Sequence, residues 1–110
     1  MKEGAQFIFV YDEKEPVGFA SYQEIGTGIF KLHKIYVLQS QQGKGTGRFV
    51  IDHIIETIRP LNATSLQLQV NKNNSAKSFY ERLGFTIIAD ADFDIGNGYF
   101  MRDFIMEKKI

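Results

Sequence analysis

Cysteine and tryptophan are absent from this 110-residue chain, and proline occurs only twice. Without cysteine there is no disulfide, no thiolate metal ligand and no cysteine nucleophile to carry an acyl group. Two histidines, His33 and His53, lie far apart in sequence and are too few to hold a zinc ion alone, so no metal is expected. Charge of one sign is missing too, because 13 Lys plus Arg balance 13 Asp plus Glu. That disfavours a nucleic-acid partner held by overall positive charge. No apolar run approaches the roughly 18 residues of a membrane span, and the first residues lack the apolar stretch of a signal peptide. The expectation is a cytoplasmic domain with neither membrane nor nucleic acid as partner.

What is present is globular. A hydrophobic fraction of 44% with 14% aromatics supports a real core, and the length allows one small domain over residues 1–110. Residues 7–11 form an apolar, aromatic and β-branched run, followed by a charged turn that ends at Pro16. Residues 17–25 and 29–38 read as two further strands across a short glycine-bearing link, giving an antiparallel meander. Residues 39–47 read as a polar, glycine-rich loop. Beyond it, Ile51, Ile54, Ile55 and Ile58 mark one face of an amphipathic helix that Pro60 stops.

Residues 65–70 alternate Leu66, Leu68 and Val70 against Gln67 and Gln69, a strand with one polar face. An asparagine run leads into a second helix carrying Ala76, Phe79, Tyr80 and Leu83, and Gly84 ends it. Residues 85–89 read as a strand, 90–98 as an acidic loop and 99–108 as the last strand. The order β-β-β-α-β-α-β-β implies an α/β (α+β mixed) sheet, with a parallel pair at its centre where the first helix crosses over. Apolar residues of the closing strand also suit a homodimer seam.

The loop Gln42-Gly43-Lys44-Gly45-Thr46-Gly47 lies between a strand and a helix. Glycines let backbone N–H groups converge there, and the helix start adds partial positive charge, so the place suits a phosphate. Lys44 and Arg48 flank it. A plain tight turn is the alternative. The spacing does not match a P-loop, and G-x-G-x-G without a later acid is not a dinucleotide fingerprint.

Gln42-x-x-Gly45-x-Gly47 after a strand resembles the acetyl-CoA-binding motif of the GNAT N-acetyltransferases, written Q/R-x-x-G-x-G/A. The stretch from Asn73 through Ala76, Tyr80, Glu81, Leu83 and Gly84 to Phe85 is similar to that family's N-x-x-A-x-x-x-Y-E-x-L-G-F segment. The resemblance covers nearly the whole chain and implies a GNAT-like acyl-CoA acyltransferase fold. Family members usually begin with a strand and two helices that this chain does not show, so the expectation is a short member.

The resemblance also implies roles. Backbone groups near Ile35, Tyr36 and Val37 would pair with the pantetheine arm of acetyl-CoA, beside a bulge that aims an N–H at the thioester oxygen. Amides from Gly43 to Gly47 would hold the pyrophosphate, with Gln42, Lys44, Thr46 and Arg48 around it. Asn73 would bond the amide-bearing arm near Ala76, and Lys72 and Lys77 would lie towards the 3′-phosphate. Tyr80 would assist the departing CoA thiolate, with a core tyrosine packed on Phe79 and Phe85 as the alternative. His33 is the candidate base, Glu24 a second. His53 falls on the helix's outer side. The implied activity is acetyl transfer to an amine of a small molecule or protein. A non-catalytic acyl-CoA-binding module is the competing reading.

Overall fold

The computed structural model describes residues 4–38, 45–96 and 98–110, and of residues 93–95 and 99–101 the backbone alone. Three antiparallel strands come first, β1 (Gln6–Asp12), β2 (Glu15–Gly26) and β3 (Ile29–Val37). Helix α1 (Thr46–Ile58) leads through a 3₁₀ turn (Arg59–Leu61) to β4 (Ser65–Asn71). Helix α2 (Ala76–Arg82), β5 (Thr86–Gly96) and β6 (Tyr99–Lys109) complete the chain. The six strands stand in the order β1-β2-β3-β4-β6-β5. Among the described residues, β3 and β4 form the one parallel pair. No described helix is long and apolar enough to cross a membrane.

Helix α1 buries Val50, Ile51, Ile54, Ile55 and Ile58, the expected isoleucine face widened by one valine. These pack on Phe30, Leu32, Leu66, Leu68 and Met106 of the sheet. A fully buried isoleucine contributes about 1.5–3 kcal/mol, so this face alone makes α1 stable against the sheet. Both helices join that one core cluster, and Gln67 and Gln69 alternate on the opposite sheet face.

Three boundaries differ from the sequence expectation. Thr46 and Gly47 belong to α1 rather than to the loop, because Gly45 turns the chain with φ +83 and its carbonyl accepts the Phe49 N–H at 2.9 Å. Pro60 does not stop the helix outright; it sits at the start of the 3₁₀ turn, where its missing N–H costs nothing. The acidic run is not a loop. Asp90 and Asp92 lie within β5, and Lys72 meets their carboxylates at 3.6 and 3.4 Å.

Gly84 takes φ +100 just past α2 and closes a Schellman motif: the Gly84 N–H bonds Glu81 and the Phe85 N–H bonds Tyr80, at 3.0 and 3.1 Å. That turn sets Phe85 against Tyr80, ring centroids 5.8 Å apart.

Candidate active site

The β3–β4 ladder runs from Ile29 and Ser65 to Leu32 and Leu68 and then ends. Beyond Leu32 the β4-facing edge of β3 has no strand partner among the described residues, which opens a gap in mid-sheet. A bulge marks the same place. Ser21 pairs with Lys34 and Tyr22 with Leu32, leaving His33 as the extra residue. The bulge shifts the side-chain alternation by one. Phe30 and Leu32 are buried, His33 and Lys34 are both exposed, and Ile35 and Val37 turn back towards the helices.

A cleft of about 770 Å³ occupies that side. Ile35 and Val37 form one wall, and Gly45, Thr46, Gly47 and Arg48 close one end. Asn74, Ala76, Phe79 and Tyr80 form the wall opposite β3. Gly47 and Arg48 precede the first intrahelical bond of α1, so their N–H groups belong to the electropositive helix start. No acidic residue stands in the first turn to neutralise it. A second hollow of about 300 Å³, beside Tyr11, Val17 and Phe49, meets the cleft at Gly45 and Thr46.

Tyr80 is held by its neighbours. Its ring stands edge-on to Phe79 at 5.4 Å and to Phe85 at 5.8 Å. Burial pushes its phenol above the ordinary value near 10, so the hydroxyl keeps its proton at neutral pH and is a hydrogen-bond donor. No described side chain or backbone group is bonded to it.

Eight of the residues singled out in the sequence therefore meet at one cleft: Ile35, Val37, Gly45, Thr46, Gly47, Arg48, Ala76 and Tyr80. Gln42, Gly43 and Lys44 lie outside the described residues. Tyr36 points to the opposite sheet face and stacks with Phe19, 5.8 Å between centroids. Asn73 does not line the cleft; its N–H bonds Asn71 Oδ1 at 2.9 Å, and the adjacent Asn74 takes the wall position. His33 is exposed, with Nε2 3.0 Å from Gln23 Oε1 on β2, away from the gap. Its imidazole titrates below the usual 6.5, through partial burial first and then the charges of Lys31 and Lys34. Glu24 is tied into the β2–β3 turn, accepting the Gly28 N–H at 3.0 Å. Lys72 is engaged by Asp90 and Asp92, and Lys77 by Glu81 at 3.1 Å.

Sequence reasoning passed over Asn74, Phe79, Arg82 and Leu83 as cleft residues. Helical spacing from Ala76 and Tyr80 carried the signal for Phe79 and Leu83, and Arg82 follows Phe79 by three. Asn74 was signalled only by its ability to form an Asx turn, which its Oδ1 does with the Ala76 N–H at 2.8 Å.

The family model described as "Acetyltransferase (GNAT) domain" matches residues 1–101. A 5-NmdU N-acetyltransferase of Pseudomonas phage PaMx11 is 43% identical over 61 residues, 54% of this chain and 41% of that protein. A ribosomal protein bS18-alanine N-acetyltransferase of Haemophilus influenzae is 28% identical over 89 residues, 81% of this chain and 57% of that one. The chain thus spans about half the length of these curated relatives. Among solved structures, an N-acetyltransferase of Thermoplasma acidophilum in complex with coenzyme A superposes with a TM-score of 0.79 at 23% identity. It covers 96% of this chain and 61% of that one.

Proposed function

Because the chain belongs to the GNAT acetyltransferase domain family, we propose that it binds acetyl-CoA in the cleft and transfers the acetyl group directly to a primary amine. The observation that carries this reading is the cleft itself. It joins an electropositive helix start at Gly45–Arg48, an unpaired strand edge at Ile35–Val37 and a protonated phenol at Tyr80. These suit, in turn, the pyrophosphate, the amide-bearing arm and the sulfur of acetyl-CoA. The cleft volume is within the range of cofactor sites.

In the reaction the amine nitrogen attacks the thioester carbonyl, and charge develops on its oxygen. A backbone N–H from β3 beside the gap would meet that oxygen. The C–S bond then breaks, the sulfur leaves as a thiolate, and the Tyr80 hydroxyl, keeping its proton, stabilises it by donating a hydrogen bond. The nitrogen gives up one proton, and His33, the residue after the last β3–β4 pair, is the candidate base, provided its ring leaves Gln23 and turns to the gap. Without cysteine, no thioester forms on a cysteine of the chain. The name of the Haemophilus influenzae relative gives an alanine as acceptor, which supports an amine acceptor here. A cytoplasmic location accompanies this reading, since acetyl-CoA is an intracellular metabolite.

The test is calorimetric titration with acetyl-CoA, followed by thiol release against a panel of primary amines. Binding with amine-dependent thiol release is the expected result. Binding without release for every amine selects the non-catalytic acyl-CoA-binding module instead. No binding overturns both readings.

A further inference from the structure

Gly18 stands inside β2, paired with Val10 of β1 on one side and Val37 of β3 on the other. Glycine weakens the interior of a strand, and close approach of another backbone is one reason to find it there. The approach is present. A Cβ built on Gly18 would lie 2.6 Å from the carbonyl oxygen of Tyr36 and 3.5 Å from Cα of Val37. Both obstacles are main chain, so no change of rotamer makes room. The end of β3 lies against β2 more closely than any side chain at this position permits.

The same ladder fixes where the β3 backbone points. The Leu38 N–H bonds the Val17 carbonyl at 2.8 Å, and in an antiparallel pair such bonds fall on every second residue. Tyr36 therefore turns its N–H and C=O to β2, and Ile35 and Val37 turn theirs to the gap. Gly18 is buried and has a strand on each side. Past Leu32, β3 has no strand on its β4 side among the described residues. A side chain at position 18 thus displaces β3 rather than β2, and β3 moves into the gap. Clearing the contact takes several tenths of an ångström at the Tyr36 carbonyl.

We propose that Gly18 is a positioning residue for acetyl-CoA. By admitting the Tyr36 carbonyl, it holds the Ile35 and Val37 backbone back at the width that the pantetheine arm needs. The proposal rests on the acetyl-transfer reading above and adds a residue that does not itself line the cleft. Gly18 acts through β3. The phosphate end of the cleft is carried by α1 instead.

The experiment compares two probes by calorimetry, CoA and adenosine 3′,5′-bisphosphate, which lacks the arm. Gly18→Ala is set against Gly26→Ala on the same strand, where a Cβ would meet only the Ile29 side chain, at 3.6 Å. Gly18→Ala should bind CoA less tightly by about tenfold or more and keep its bisphosphate affinity within about twofold. The amide resonances of Ile35 and Val37 should be displaced in the free variant. Gly26→Ala should bind both probes as the wild type does. Equal losses for both probes, no loss, undisplaced resonances, or the same pattern in Gly26→Ala overturns the proposal and leaves the acetyl-transfer reading standing. A Gly18→Ala chain that does not fold makes the contact a requirement of the fold, which overturns the proposal too. A wild-type protein that binds CoA no more tightly than the bisphosphate holds no arm in the gap, and the acetyl-transfer reading then fails with it.

Discussion

A Cβ built on Gly47 would lie 3.1 Å from Cζ of Phe79, so the first turn of α1 and the middle of α2 approach as closely as a glycine permits. A glycine in a helix costs about 1 kcal/mol relative to alanine. The close approach explains why one stands here, and it sets the width of the cleft between the helices. Gly47→Ala should gain helix propensity and lose it again as the half-buried Phe79 ring is pushed aside, for a net stability change below about 1 kcal/mol. The displaced ring narrows the cleft, so acetyl-CoA affinity should fall. Thermal unfolding and calorimetry read the two effects separately; an unaltered affinity would remove Phe79 from the binding wall.

Gly45 differs from Gly47 in having open space where its side chain would be, but a left-handed φ of +83. Gly45→Asn, which tolerates that conformation, should fold and keep most of its acetyl-CoA affinity. Gly45→Val adds backbone strain of about 1–2 kcal/mol and a branched group beside the α1 start. Binding should then drop by at least about tenfold in a protein that still folds. Equal affinities for the valine and wild-type proteins would move the phosphate site elsewhere.

Tyr80→Phe keeps both edge-on ring contacts and removes a hydroxyl that has no described partner. The melting temperature should therefore hold. With an acceptor amine in hand, kcat should fall by about tenfold or more at nearly constant acetyl-CoA affinity, because the hydrogen bond to sulfur strengthens in the transition state. Equal kcat under rate-limiting chemistry would leave Tyr80 with a packing role only.

His33 should titrate below 6.5 in the folded protein, as read from its ring resonances. Lys34→Gln removes one of the two nearby charges and should raise that value part of the way, since burial is the larger cause. A depressed histidine binds its proton more readily in the unfolded chain. Its contribution to stability is thus intact above 6.5 and declines as the pH falls through that value towards the folded pKa. The exposed ring makes the effect small. As the base, His33 predicts an acid limb of kcat/KM below 6.5 that disappears in His33→Gln. Persistence of the limb in that variant assigns it to another group.

The sequence alone determined whatever depends on neighbours a few positions apart. Period-two alternation marked β4, and isoleucines at helical spacing marked the buried face of α1. Gly84 marked the turn that sets Tyr80 against Phe85, because a Schellman motif is local. Tertiary structure decided what depends on residues brought from far along the chain. β6 enters between β4 and β5, and no local pattern encodes that order. Asp90 and Asp92 sit in a strand that their residue type disfavours, because β5 pairs in register with β6 while both carboxylates stay exposed beside Lys72. The extra residue at His33 turns Ile35 and Val37 to the cleft and Tyr36 away from it, a choice of face that only the pairing with β2 makes. Asp103 and Gln69, hydrogen-bonded at 2.7 Å, meet for the same reason. Ladder register between distant strands is set by the packing of the whole sheet, and a shift of one residue would put their side chains on opposite faces.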